Sequence, residues 1–399
     1  MASKVYTLTP ITCVHIGTGE ILTPLDYKIA AMTENGEKLY WKFSSDRILL
    51  RLSDDEQAMA SFEHIGNDGN MKELQDFFHD NCTCTDDVDY FCEITEGFSK
   101  TYEENHNKDA NENAEKVFQM YHTKERNEKR QVPVIPGSSL KGSIRTALLN
   151  KYLSNVSDQA DYQDIKMKIK YDKRPGNNEN KLQQHLLGQT DARNTAKSDP
   201  LRAISIPDCP FMVGGLVGKL ENVFFGKQTK NLIPTGIPIQ AEVIKGKLLG
   251  GNAISEISIA IDDRLQETPF PSKRYNEPPK QIKKIDFKDI RESCNYFYWR
   301  EFDKEYAKFF KDVSDRTKEF LDELKKSLEQ VKNTNGQFII RVGRWSQVEF
   351  VTFEENFRRP KVKEDRDGKP VGYGDTRTLF EIDGKYLPMG WCVLKEKGE

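Results

Sequence analysis

Apolar and polar residues alternate along Val5 to Val14 (VYTLTPITCV), the period-2 pattern of a half-buried β-strand. His15-Ile16-Gly17-Thr18-Gly19 follows and reads as a turn. Leu25 to Met32 and Lys38 to Phe43 read as two strands joined by Glu34-Asn35-Gly36-Glu37, an Asn-Gly hairpin signal. Ser45 or Asp46 is placed to cap a short helix ending near Leu52.

The pattern changes at Val132 to Leu149 (VPVIPGSSLKGSIRTALL). Pro133 and Pro136 hold a lead-in extended, because a residue before proline is pushed out of the helical region. Gly137 permits a sharp turn, and Ser138 or Ser139 supplies a capping hydroxyl. Leu140, Ile144, Ala147 and Leu148 then share one helical face, which predicts burial, while Ser138, Lys141 and Arg145 share another. Free N–H groups, the positive end of the helix dipole and two cations converge there, an arrangement that suits an anion. An ordinary capped helix with a solvated basic face is the plainer alternative.

Further along, Leu201 to Ile206 reads as a strand ended by Pro207-Asp208. Phe211 to Gly218 (FMVGGLVG) reads either as a flexible hairpin tip or as a buried strand with a bulge. Ile237 to Ile244 and Ile254 to Ile261 are strand patterns, and the prolines at 269, 271, 278 and 279 mark a linker. From about 286 to 331 the spacing turns helical, with Tyr298, Phe302, Tyr306, Phe309, Val313, Phe320, Leu324, Leu328 and Val331 recurring. One helix of that extent would be about 65 Å long, so a break or a helical pair is expected. Its aromatic stripe reads first as core and second as a subunit interface. Phe338 to Val342, Val348 to Phe353 and Thr378 to Ile382 return to strand patterns. Strands with isolated helices, twice over, predict an α+β chain of two domains with antiparallel sheets, at 1–206 and 207–399. Residues from about 53 to 130 read as a charged insertion in the first, and 286–331 as a helical segment in the second.

Composition narrows the chemistry. The 399 residues are 31% charged yet nearly balanced, 60 basic against 63 acidic, so a nucleic-acid site has to be a local patch. Acidic residues dominate Asp86 to Glu115, which predicts a solvated surface that repels phosphate. Basic residues dominate Lys124 to Arg145 and lead into the helix motif. No apolar run approaches membrane-span length and MASKVYTLTP has no signal-peptide pattern, so a soluble, cytoplasmic protein without membrane contact is expected. Seven scattered cysteines do not make a disulfide framework.

Gly137 to Ser143 lacks the spacing of a nucleotide-hydrolase loop, and neither a Gly-x-Ser-x-Gly elbow nor an HExxH zinc helix is present. No cofactor is expected. His64, His79, Cys82, Cys84 and Cys92 are candidate zinc ligands, but their spacing is irregular and free thiols are the default. Two further stretches suit RNA. Arg341-Val342-Gly343-Arg344-Trp345 sets cations beside an aromatic, able to meet phosphate and stack a base, and Arg358-Arg359-Pro360-Lys361-Val362-Lys363 carries four cations and no acid.

PVIPGSSLKGSIRTALL together with LTPITCVHIGTGEILTPLDY resembles the RAMP superfamily of CRISPR-associated RNA-binding proteins. Pro-Leu-Asp-Tyr at 24–27, Asp199-Pro200-Leu201-Arg202, Ala241-Glu242-Val243 and Leu387-Pro388-Met389-Gly390-Trp391 are similar to one member. That member is the subunit capping the crRNA 3′ end in the type III-A Csm effector complex. The resemblance implies two RRM-like (ferredoxin-like) domains and no catalytic duty. It implies crRNA as ligand, with target RNA in the assembled complex, and neighbouring Csm backbone and small subunits as partners. It also implies a part in crRNA maturation, aided by host nucleases. Its RNA contacts would fall on Gly137, Ser138, Ser139, Lys141, Gly142, Arg145 and His15. The family's C-terminal glycine-rich loop is here Gly343-Arg344-Trp345-Ser346-Gln347, with one glycine, which puts a close backbone clamp in doubt. Two enzymatic rivals remain. Asp26 lies where related backbone subunits carry a target-cleaving aspartate, and His15 with Lys141 could form a metal-independent endoribonuclease. The plainer readings are that Asp26 caps its turn and that His15 is structural. A scaffold that touches only protein is a third class.

Overall fold

The computed structural model describes residues 1–31, 36–105, 115–124, 131–155, 163, 180, 182–184, 186–187, 199–224, 233–234, 237–267, 284–313, 316–353 and 376–398. Its first strands are β1 (Ala2–Pro10), β2 (Gly17–Leu22), β3 (Tyr27–Ala31), β4 (Lys38–Phe43), β5 (Val88–Ile94), β6 (Val117–Met120), β7 (His122–Lys124) and β8 (Gln131–Ile135). Next come β9 (Ile204–Ser205), β10 (Cys209–Pro210), β11 (Gly215–Phe224), β12 (Ile233–Pro234), β13 (Ile239–Val243) and β14 (Ser255–Ile261). The last four are β15 (Gln337–Arg341), β16 (Thr376–Ile382), β17 (Lys385–Pro388) and β18 (Trp391–Glu396). The helices used below are α1 (Ser45–Leu52), α2 (Glu56–Asp68), α3 (Met71–Asn81), α4 (Glu96–Asn105), α5 (Gly137–Ser154), α6 (Phe287–Glu305) and α7 (Thr317–Lys332).

β1 is the middle of an antiparallel sheet ordered β15-β18-β1-β14-β9. It runs against β14 with Ala2 opposite Ile261, and against β18 with Pro10 opposite Cys392. The alternation of β1 sends Tyr6 and Leu8 into the largest core, where residues of α5, α6 and α7 meet the sheet. Trp391 sits at the centre of that core, with the rings of Tyr298, Phe302 and Phe350 edge-on to it. A larger sheet, ordered β2-β6-β13-β11-β5-β4-β3, also takes in β12, β16 and β17. It is antiparallel except where β11 meets β5 and β13 meets β6. A small sheet, β10-β8-β7, carries the lead-in to α5.

The α+β class and the hairpin of β3 and β4 agree with the hydrophobic pattern. So does the break in the helical segment. α6 opens on a capping box between Asp286 and Asp289, passes into a π turn at Tyr306–Phe310, and α7 follows. Tyr298, Phe302, Leu324 and Leu328 of the aromatic stripe are core.

Four expectations are corrected. Strand pairing crosses the expected boundary at 206, because the alternating β1 is completed by strands beginning at 255 and 391. The 53–130 stretch is not wholly an insertion: β5 lies inside the large sheet between β4 and β11, with Val88, Tyr90 and Cys92 buried beneath outward-facing charges. Those charges masked its period of two. The stretch Val348 to Phe353 forms no strand but a short 3-10 turn at Val348–Phe350, following Gln347 at φ 64°. The expected turn at 15–19 runs from Gly17 directly into β2.

Candidate nucleic-acid interface

α5 begins two or three residues earlier than the serines suggest. Pro136 is the N-cap residue, no side chain of its own caps the helix, and neither Ser138 nor Ser139 serves as cap. The first N–H, on Gly137, donates instead to Asp208 Oδ1 at 2.9 Å. A protein carboxylate therefore already occupies the dipole end that was expected to await an external anion. Gly137 is required for another reason: a Cβ there would stand 2.0 Å from the Ile206 carbonyl oxygen, so the helix start lies directly against the chain that leads to Asp208. Beyond the first turn the helix is buried on more than one face, by Leu140, Ile144, Ala147 and Leu148 as expected and also by Leu149, Tyr152 and Leu153.

The cations lie one turn further on. Lys141 Nζ donates to the Ile204 carbonyl at 2.8 Å, and partial burial lowers its pKa. Arg145 pairs with Asp199, whose other oxygen caps the 3-10 turn at Pro200–Ala203 through Leu201 N. Lys141, Gly142, Arg145, Asp199, Leu201 and Arg202 line a cavity of about 270 Å³. Three cations face one carboxylate there, a net positive recess of a size to take a phosphate group. Ser138 and Gly142 are exposed beside it.

Residues 15 and 344, far apart in sequence, are adjacent. Arg344 N donates to the His15 carbonyl at 2.9 Å, and a Cβ on Gly343 (φ 89°) would stand 2.4 Å from that same oxygen. The single glycine of this loop thus does make a close backbone approach, to the protein's own chain. Trp345 and Gln347 hold φ 63° and 64°, a left-handed conformation that L residues other than Asn and Asp seldom adopt. The Trp345 ring lies 4.8 Å from the His15 ring, and the exposed Arg344 guanidinium lies 4.5 Å from the ring of Phe118 on β6. The expectation for Arg341 is corrected. It is fully buried, paired with Glu305 at 3.0 Å and bonded to the Met389 carbonyl, and takes no part in this surface.

Hydrogen bonds to the main chain link the elements that carry the two features. Tyr121 N donates to the Ile16 carbonyl at 2.6 Å, and Val134 N donates to the Tyr121 carbonyl at 3.0 Å, which joins the His15 turn to the lead-in of α5. Ser143 Oγ, in the second turn of α5, donates to the Arg341 carbonyl at 2.9 Å, at the end of β15 from which the Gly343 loop departs. Phe118, Asp199 and Asp208 are contributors that the sequence does not mark as site residues: Asp199 belongs there to a family-like motif, Asp208 to a strand end, and Phe118 to no pattern.

The rival assignments sit elsewhere. Asp26 Oδ2 accepts from Thr23 N at 2.9 Å and from Thr23 Oγ1 at 3.1 Å, which makes it a turn cap. His79 Nε2 bonds the carbonyls of Pro24 and Tyr27, Cys84 donates to Asp87, and Cys92 is buried in β5. Among the described residues no three His, Cys, Asp or Glu side chains form a group that could hold a metal ion. Among those residues also, no helix is long and apolar enough to cross a membrane. Arg358, Arg359 and Lys361 lie outside the described residues.

The model of the RAMP superfamily matches residues 7–385, nearly the whole chain. The chain belongs to the RAMP superfamily. Two solved structures share the fold of this RAMP chain. One is a chain of a Csm–crRNA–target RNA ternary complex of a type III-A CRISPR-Cas system, 19% identical with a TM-score of 0.59 over 99% of this chain and 100% of that one. The other is Csm5 of T. onnurineus, 20% identical with a TM-score of 0.58 over 97% and 99%. No curated protein sequence matches this RAMP chain.

Proposed function

We propose that this RAMP chain is a non-catalytic guide-binding subunit of a type III-A Csm ribonucleoprotein, one that caps the 3′ end of the crRNA and contributes to crRNA maturation and complex assembly. The observation that carries the reading is the cationic recess that Lys141 and Arg145 of α5 form with Arg202, on a fold that also presents the Arg344–Trp345 loop, whose preceding strand end Ser143 ties to the same helix. A cationic recess and a half-exposed aromatic loop on one fold suit a single-stranded phosphodiester chain, whose phosphates and bases are met by different groups. The Csm-like fold supports the assembly reading; the proposal takes backbone and small subunits as neighbours, target RNA in the assembled complex and, from the family resemblance alone, host nucleases as trimming partners.

The test is to assemble the complex on a guide carrying a photo-crosslinkable nucleotide at one end. Crosslinking of this chain to the 3′-terminal segment is expected. Crosslinking only to the 5′ end overturns the capping role, and none at either end favours a protein-only scaffold.

A further inference from the structure

The charged stretch after α1 plays no part in the RNA reading. Residues 54–81 hold eight acidic side chains and a single lysine, Lys72. They fold into α2 and α3, which pack on a satellite core of their own around Trp41, Phe43, Ile48 and Phe78. That core lies at the β3–β4 edge of the large sheet, and β2 and β6 lie at the other edge.

α2 is thinly covered. None of its 13 residues is fully buried, and its apolar stripe of Ala58, Met59, Phe62 and Ile65 is only half-buried against the satellite core. Phe62 meets the rings of Phe77 and Phe78 at 5.5 and 6.1 Å. Beside that contact the two helices leave an open groove of about 850 Å³, with Ala58, Ile65 and Phe77 in its lining.

The rim of the groove is acidic. Glu73, Asp76 and Asp80 stand along α3 at i, i+3 and i+7, Asp55 joins them from the N-cap of α2, and no Lys or Arg lines the groove. Like charges at such spacing repel one another. Lys72 offsets Asp76 alone. Asp80 makes no hydrogen bond or ion pair among the described residues, and it sits one residue from the end of α3, where the helix dipole is already negative. The free chain thus carries a local repulsion that a cationic partner relieves.

We infer that the α2–α3 groove docks a basic amphipathic helix of a partner protein. Its apolar side chains rest on Ile65 and Phe77, and its lysines or arginines meet Glu73, Asp76 and Asp80. A third helix gives α2 the burial it lacks, the helix-in-groove mode of recognition. The same acids repel a phosphodiester chain. The inference is independent of the guide-binding reading, because this groove takes protein and the α5 recess takes RNA.

The experiment titrates the full chain into a fluorescein-labelled peptide of lysine and leucine, with leucines at helical spacing, and into a scrambled peptide of the same composition. The patterned peptide should bind about tenfold more tightly, the scale of one partly buried leucine side chain. Glu73→Lys with Asp80→Lys should weaken it about tenfold through lost and reversed charge contacts. Glu323→Lys with Glu329→Lys, an equal change in net charge at exposed positions of α7, should leave it unchanged. Asp80→Asn separates docking from damage: it should weaken the peptide about threefold yet raise the melting temperature of the free chain. Equal binding of the scrambled peptide, an equal loss from the α7 pair, or no binding at all overturns the groove. A dimer of the chain that Glu73→Lys with Asp80→Lys dissolves in sedimentation makes a second copy the occupant, and a guide crosslink into α2 or α3 makes it RNA; either result overturns the proposal. The peptide measurements use no RNA, so their failure leaves the guide-binding reading standing.

Discussion

Arg145 on α5 and Asp199, 54 residues further along, form an ion pair at the mouth of the cationic recess. Both groups are only partly exposed, so the pair competes directly with any phosphate that approaches Arg145. Asp199→Asn keeps an oxygen to cap Leu201 N while removing the competing charge. RNA affinity should then rise by roughly two- to fivefold, on the order of one surface charge interaction. Fluorescence anisotropy at fixed salt reads it, and an unchanged or weaker affinity would show that Arg145 does not face the ligand.

The converse applies to the cations themselves. Lys141→Ala with Arg145→Ala should weaken RNA binding and flatten its dependence on log salt, by about 0.7 in slope for each single-strand phosphate that is no longer neutralised. Single variants separate the two residues. If Lys141 serves only to hold the Ile204 carbonyl, Lys141→Ala will lower the melting temperature and leave the salt slope alone.

Local pattern was legible where a residue's role depends on its neighbours in sequence. The β3–β4 hairpin, the α5 core face and the break after α6 all belong to that kind. Partners brought in by the fold were not. Asp208 reads in the sequence as the end of a strand, and nothing local says that it caps a helix starting 71 residues earlier. Ser138 and Ser139 satisfy the capping rule yet lose to it, because Gly137 against the Ile206 carbonyl sets where the helix begins. Arg341 and Arg344 look alike in sequence, but β15 is buried from Phe338 through Arg341, which takes Arg341 into the core, and the Gly343 turn releases Arg344 to the surface.

Catalysis by this chain is expected to be absent. Asp26 Oδ2 is engaged by the backbone and hydroxyl of Thr23, and His15 Nδ1 is held by a main-chain carbonyl. Guide or target RNA incubated with the purified chain and Mg²⁺ should remain full length on a denaturing gel, and Asp26→Asn should change nothing. Cleavage that Asp26→Asn abolishes would falsify the non-catalytic assignment.

The Arg341–Glu305 pair makes a stability prediction. Arg341 Nη1 lies 3.0 Å from Glu305 Oε2, with side chains 0% and 1% exposed, and Arg377 Nε reaches the other carboxylate oxygen at 2.9 Å. Removing one member of a buried ionic set strands the others without solvent, at a cost of about 3–5 kcal/mol. Arg341→Met should therefore lower the urea midpoint by that equivalent. Adding Glu305→Leu should not restore it, because Arg377 would then lose one of its two carboxylate partners among the described residues and keep Glu349. Full recovery in the double variant would show that Arg377 is not coupled to the pair.

Glu242 sets how stability varies with pH. Its carboxyl is buried in the large sheet, accepting from Tyr90 OH at 2.9 Å and Met120 N at 2.8 Å, and burial pushes its pKa up from 4.5 to about 7. The folded chain binds this proton more tightly than the unfolded chain. Its contribution is therefore complete below pH 4.5 and is lost as pH rises through 7. His15 and His122 act in the opposite sense. Burial lowers both to about 4, so their contribution is present above pH 6.5 and disappears as pH falls through 4. Glu242→Gln removes the first effect and leaves the second, while an amide oxygen still accepts from Met120 N. Relative to the unaltered chain, the variant should gain up to about 3 kcal/mol between pH 5 and pH 8, since each pH unit across the window is about 1.4 kcal/mol. Urea unfolding at pH 5, 6, 7 and 8 measures that difference. A stability difference that stays constant over the series, or that shifts in favour of the unaltered chain toward pH 8, would mean that Glu242 is already ionised in the folded chain.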